Sequence, residues 1–184
     1  IDLLSLHSRT VLGGYRSTPD HNYVLKAVEF LDCPVLLNGN VTSAEVALQL
    51  REETGACGVM IGRSAIRNPW IFRQIRDLQN GMPMFRPTMR DLYQYVKELF
   101  YRLDKPELCD RKLVARIKKF LNFIGIGVCP EGKFLHYMRR AKCSKELFAI
   151  CRKYMMDEGI SDMLMPLDPY PDLVARPSQE TCLV

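Results

Sequence analysis

Two short turns carry the residue types that grip a phosphate, Asn38-Gly39-Asn40 and Gly62-Arg63. Each closes an apolar run, Pro34-Val35-Leu36-Leu37 in the first case and Val59-Met60-Ile61 in the second. At the carboxyl end of a parallel strand, a glycine lets the backbone approach a ligand closely, and the helix that follows points unpaired N–H groups at it. Arg63 adds a permanent positive charge and a planar fork for phosphate oxygens. Taken singly, Asn-Gly is among the commonest turn dipeptides and Gly-Arg means little. Side by side, the two turns make an anion site.

They lie side by side only if their strands do. Residues 43–54 have helical periodicity, so residues 34–70 read as strand, turn, helix, strand, turn, helix, with both runs short enough for buried parallel strands. In an eight-stranded β/α barrel the loops after the seventh and eighth strands are the usual phosphate grip, which gives both turns an address. Upstream, the spacing predicts a strand over 3–7, a loop with Gly13-Gly14, and a helix from about Pro19 to Leu31 with Val24, Leu25, Val28 and Leu31 as its inward stripe. Downstream, Asn68-Pro69 predicts a helix capped by Asn68, with Trp70, Ile71 and Ile75 inward and an end near Asn80-Gly81.

Residues 82–87 hold two prolines and read as a linker; beyond them the pattern is helix alone. Thr88 predicts a cap for a helix to about Leu103, and further helices are expected over 107–124, 133–140 and 144–157. In the second of these, Leu113, Ile117, Phe120, Leu121 and Ile124 share one face and Lys112, Arg116 and Lys119 another. After Gly159, Pro166, Pro169, Pro171 and Pro177 predict an extended or disordered tail over 160–184. The expected class is therefore α/β, with strands alternating with helices over 1–81, then an all-α domain over 88–159.

The chain has 184 residues, of which 47% are hydrophobic, enough for a packed core. No stretch reaches the roughly twenty apolar residues of a membrane span, and no basic segment followed by an apolar core marks a signal peptide. The seven cysteines, at 33, 57, 109, 129, 143, 151 and 182, form no Cys-x-x-Cys pair. That pattern fits reduced thiols in the cytoplasm, with no metal site. Cys182 is third from the end, so the prenylation pattern is not met. The chain begins at Ile1 almost within a strand and reads as a fragment.

The net charge of +5 conceals a partition. Residues 1–85 hold eight basic and eight acidic side chains, residues 86–153 seventeen and seven, and residues 154–184 one and six. Such a basic segment beside a neutral one points to a polyanion, hence nucleic acid or an acidic membrane surface, although a well-solvated helical face has the same composition.

His7-Ser8-Arg9-Thr10, the strand ending in Asn38-Gly39-Asn40, Gly58-Val59-Met60-Ile61-Gly62-Arg63 and Asn68-Pro69-Trp70-Ile71-Phe72 resemble, in order and spacing, the C-terminal half of the tRNA-dihydrouridine synthases. The resemblance is strong over about residues 1–80 and general over the basic helices. The family usually has Asn-Gly-Asp where this chain has Asn38-Gly39-Asn40, a departure that removes a charge and keeps the turn. The resemblance implies an FMN enzyme on a β/α barrel, the three strands here being the sixth to eighth, followed by a helical tRNA-binding domain. His7 resembles the family's flavin-contacting histidine, and a capped core histidine is the alternative. Asn38, Gly39, Asn40, Gly62 and Arg63 resemble its flavin phosphate residues.

In the family, NADPH reduces the flavin, hydride passes to C6 of a tRNA uridine, and a cysteine supplies the proton at C5. The target base must leave its stack, which calls for a broad basic surface holding the tRNA. Lys112, Arg116, Lys118, Lys119, Arg139, Arg140 and Lys142 are the candidates for phosphate contacts. The family's cysteine and its flavin-contacting lysine belong to the half of the barrel before this chain, so no catalytic residue is assigned. Cys33-Pro34 and Cys129-Pro130 share the family's Cys-Pro dipeptide in the wrong places. A three-strand remnant leaves strand edges and a sheet face exposed, so the chain alone is expected to be unstable or inactive. The full-length protein is expected to be a monomer with no membrane partner. Two rivals stand beside this reading: an FMN barrel oxidoreductase acting on a small molecule, which has no use for the basic segment, and a non-catalytic RNA-binding remnant of a barrel.

Overall fold

The structure, a computed structural model, describes residues 1–12, 17–129 and 131–167. The expected Gly13-Gly14 loop, Pro130 and the tail from 168 onward, with Pro169, Pro171, Pro177 and Cys182, lie outside these residues. The chain divides into two compact units, with the boundary between Phe85 and Arg86.

The first unit is a three-stranded parallel sheet with helices. Strand β1 (Leu4–His7) pairs with β2 (Val35–Asn38), and β2 with β3 (Gly58–Met60), in the order β1-β2-β3. Leu6 is opposite Leu37, His7 opposite Asn38, and Asn38 opposite Met60, so the carboxyl ends of all three strands finish level. Alternation decides the faces: Val35 and Leu37 are buried in a core shared with Val24, Ala44, Ala47, Ile71 and Ile75.

Helix α1 (Asn22–Phe30) starts three residues later than Pro19. The Asp20 N–H donates to Ser8 O (2.9 Å), which ties that stretch to the end of β1 and keeps it out of the helix. Its expected stripe holds at Val24, which is fully buried, and fails at Leu31, which follows the helix and is exposed. Helix α2 (Ala44–Thr54) is framed by local chemistry, since Ser43 Oγ accepts from Val46 N (3.2 Å) and Gly55 closes it at φ 68°. Helix α3 (Arg63–Arg67) leads into α4 (Ile71–Gln79).

Asn68 does not cap α4 through its side chain, as the Asn-Pro pattern suggests. Trp70 occupies that position, and the buried Asn68 amide instead donates to Gln74 Oε1 (2.7 Å). Gln74 Nε2 donates to Phe85 O (2.9 Å) and Phe85 N to Asp77 Oδ2 (3.0 Å), so a tertiary network orients the Asn68 amide while its Oδ1, the atom a cap would use, is buried without a hydrogen-bond partner.

The second unit is helical: α5 (Met89–Leu103), α6 (Asp110–Ile124), α7 (Lys133–Arg140) and α8 (Ser144–Met155). Thr88 and Asp91 form a reciprocal capping box at the start of α5. Leu113, Ile117, Leu121 and Ile124 of α6 are fully or nearly fully buried, together with Phe134, Met138, Leu147 and Met155. At Gly125 a Cβ would stand 2.6 Å from a ring carbon of Phe134, so α6 and α7 approach as closely as they do only with glycine there. Residues 160–167, expected to begin an extended tail, fold back on the start of α5. Met89 N donates to Met163 O (2.9 Å), Met165 N to Pro87 O (2.8 Å), and Met165 is buried. Burial of an apolar side chain and paired backbone hold this stretch in place despite Pro166.

Candidate functional site

At the carboxyl ends of the three strands lies a cavity of about 360 Å³ whose lining includes His7, Arg9, Asn38, Gly39, Asn40, Gly62 and Arg63. The six residues singled out from the two turns and the end of β1 therefore surround one space. Their placement follows from backbone register, which sets His7, Asn38 and Met60 in one row.

The first turn is built to a fixed shape. Gly39 has φ 132° and Asn40 φ 50°, two consecutive residues in left-handed backbone. The Asn38 carbonyl accepts from Ser8 N (3.2 Å) and Ser8 Oγ (3.3 Å), and a His7 ring nitrogen lies 3.3 Å from it. The Asn38 amide donates across to Met60 O (2.7 Å), tying the end of β2 to that of β3. Behind the turn, the buried Ser8 hydroxyl also meets His21 Nδ1 at 3.0 Å. Burial pushes the His21 imidazolium below its ordinary 6.5; Glu53 and Asp20 oppose that shift and Arg9 adds to it.

Arg9, not among the candidates drawn from the sequence, is the cation that this arrangement adds. Its Nη2 donates to Asn40 Oδ1 (2.6 Å) and its Nε to Ser17 O (2.8 Å), while Nη1 is buried without a hydrogen-bond partner. The signal was present in His7-Ser8-Arg9-Thr10, because a residue two beyond His7 at a strand end reaches the neighbouring turn. Gly62 lies on the opposite wall, and a Cβ there would meet nothing within 4 Å. Among the described residues, no carboxylate lines the cavity. Two guanidinium groups, an orphaned buried N–H and an open glycine fit an anionic group of phosphate size.

The basic residues expected to meet RNA separate into two kinds. Lys112, Arg116 and Lys119 are exposed along α6, and Lys142 is exposed beyond α7. Lys118 instead turns inward: its half-buried ammonium donates to Arg139 O (2.9 Å) and to Ala141 O, capping the end of α7. Arg139 Nε donates to Asn122 Oδ1 (2.8 Å), and Arg140 Nη1 to His136 O (2.9 Å). Among the described residues, no group of three or more His, Cys, Asp or Glu side chains is placed to hold a metal ion, and no helix is long and apolar enough to cross a membrane.

The family model described as dihydrouridine synthase (Dus) matches residues 1–146. The chain belongs to the dihydrouridine synthase family. Among curated relatives, it is 25% identical over 151 residues to the tRNA-dihydrouridine(16) synthase of Neisseria meningitidis serogroup A, covering 82% of this chain and 45% of that protein. It is 31% identical over 122 residues to tRNA-dihydrouridine synthase B of Pasteurella multocida, covering 62% and 37%. With synthase B of Vibrio parahaemolyticus it shares 39% identity over 85 residues, covering 46% and 26%. The chain thus spans less than half the length of these relatives.

The described cysteines do not line the cavity. Cys33 and Cys57 precede β2 and β3, at the amino ends of the strands, opposite the cavity. Cys151 is buried in the second unit, and burial pushes its thiol up to about 12.

Proposed function

We propose that this chain supplies the flavin-phosphate wall and the RNA-holding helices of an FMN-dependent enzyme that reduces uridine to 5,6-dihydrouridine in tRNA, with NADPH as the electron donor. The observation that carries the reading is the convergence of His7, Asn38, Gly39, Asn40, Gly62 and Arg63 on one cavity that no described carboxylate lines. The FMN phosphate would sit between the two turns, held by Arg63, Arg9 and the backbone of Gly39 and Gly62. Bound there, the flavin supplies the hydride for the uracil ring; this chain's part is to orient it and fix its charge. The protein would work in the cytoplasm as a monomer, without membrane or metal.

The sheet in hand reads as strands six to eight of a β/α barrel, and residues 88–159 as the tRNA-binding domain beyond the 82–87 linker. The proton donor to C5 lies outside this chain on that reading. The excess of basic side chains in residues 86–153 favours a polyanionic substrate over a small molecule. The test compares FMN with riboflavin, which lacks the phosphate, in the protein carrying these residues. Arg63→Ala is expected to weaken FMN at least about tenfold and leave riboflavin unchanged, one charge-assisted contact being worth about 1.5–3 kcal/mol. Equal loss for both flavins, or no loss, overturns the phosphate assignment. Absence of dihydrouridine from tRNA incubated with the full-length enzyme, FMN and NADPH overturns the activity.

A further inference from the structure

The second unit holds a cavity of about 540 Å³ between α6 and the turn joining α7 to α8. On α6, Arg111, Val114, Ala115 and Lys118 follow one another at i, i+3, i+4 and i+7, a single face; Arg140, Ala141 and Lys142 form the opposite wall. Four cationic side chains therefore border one space. The carboxylates nearest to this wall are committed to backbone: Glu146 Oε2 accepts from Lys142 N (2.7 Å) and Asp110 Oδ2 from Ser144 N (3.0 Å). Lys118 is committed to the end of α7, which leaves Arg111 and Lys142, both exposed, to meet a ligand.

One helical step from Arg140 stands an aromatic platform. Tyr137, 48% exposed, stacks on Tyr154 with ring centroids 6.5 Å apart and planes 29° from parallel. Tyr154 is braced from below by the buried Phe134, edge to face at 5.8 Å, and the Lys153 ammonium lies 5.8 Å from its ring. An exposed tyrosine held rigid on a second ring, and ringed by cations, is a surface on which a nucleobase stacks. We infer that the α6/α7–α8 cavity takes backbone phosphates of an RNA strand through Arg111 and Lys142, while an unpaired base of that strand stacks on Tyr137. Phosphate alone would suit an acidic lipid surface equally; the exposed ring selects RNA. The inference rests on the RNA-binding reading above, and reassigns Lys118 and Arg139 from RNA contact to holding the wall in shape.

The test uses the full-length protein that carries these residues, with fluorescence anisotropy on a tRNA transcript, a duplex RNA and oligouridine across 50–300 mM salt. Arg111→Ala/Lys142→Ala is expected to lower tRNA affinity about tenfold and flatten the slope of log K against log salt by about two. Tyr137→Ala is expected to weaken oligouridine about tenfold and leave the duplex unchanged, as stacking contributes about 1–3 kcal/mol per base. Circular dichroism matching the parent chain shows that each variant is folded, as expected for exposed positions. A double variant with unchanged affinity and slope overturns the cavity assignment while leaving the RNA reading intact, and a Tyr137→Ala chain that binds oligouridine normally overturns the stacking. If the parent chain binds none of the RNAs, or binds only phosphatidylserine vesicles, both the inference and the RNA reading fall.

Discussion

The same substitution in the two turns that line the cavity should have very unequal consequences. At Gly39, φ is 132°, a conformation that side chains rarely adopt, and an added Cβ would lie 3.1 Å from Pro19 Cβ and 3.2 Å from Ser8 Oγ. Backbone strain of that kind costs about 1–3 kcal/mol. Pressing a methyl against a proline ring and a buried hydroxyl that is already bonded to Asn38 and His21 adds about 1 kcal/mol more. Gly39→Ala is therefore expected to destabilise the first unit by about 3 kcal/mol, or about 2 M urea at a slope of about 1.5 kcal/mol/M. At Gly62, φ is −98° and ψ −100°, and the added Cβ meets nothing within 4 Å, so Gly62→Ala lacks the steric part of the cost and should lose clearly less than Gly39→Ala, about 1 kcal/mol. The assay is direct because the chain has a single tryptophan, Trp70, which packs beside Phe85 in the first unit and reports its unfolding alone. A Gly39→Ala midpoint within about 0.3 M of the parent, or an equal loss from Gly62→Ala, would refute the argument.

Two further outcomes follow from polar groups that pack rather than react. Lys118→Met keeps the stem but leaves the carbonyls of Arg139 and Ala141 without their cap, so the second unit should lose about 2 kcal/mol, read by far-ultraviolet circular dichroism in urea; Arg116→Met, on the exposed face, should lose less than about 0.5. For His21, burial holds the folded-state value below the ordinary 6.5, so the unfolded chain takes up its proton first as pH falls. Stability of the first unit should accordingly drop on acidification from about 6.5 down to the depressed value and level off below it. His21→Gln should remove that part of the slope in urea midpoints followed by Trp70, and an unchanged slope would refute it.

Elements with a local cause were legible in the sequence. The Thr88 cap and the inward stripe of α6 each depend on residues within a turn or two. The residues of the two turns could be read because a parallel register brings consecutive strand ends together, and the turn is the last thing each strand presents. What escaped depends on distant partners. Asn68 looks like a cap until Gln74 takes its amide, and Lys118 looks like one more surface cation beside Lys119 until carbonyls 21 and 23 residues on claim it. Arg9 stood in a quoted motif, yet its role emerges only when Asn40, 31 residues away, is folded beside it. The stretch 160–167 misled because prolines suggest an extended chain, whereas one buried methionine and three backbone bonds to residues 87–90 hold it.

The Arg9–Asn40 contact has a practical consequence. A carboxylate at that position would neutralise the guanidinium from inside the protein; a carboxamide orients it and leaves its charge intact. The cavity then keeps the Arg9 charge beside the guanidinium of Arg63, and anions in solution are drawn toward it. In phosphate or sulfate solutions those ions would compete with any anionic ligand of the cavity, so an apparent affinity measured there is partly a property of the buffer chosen.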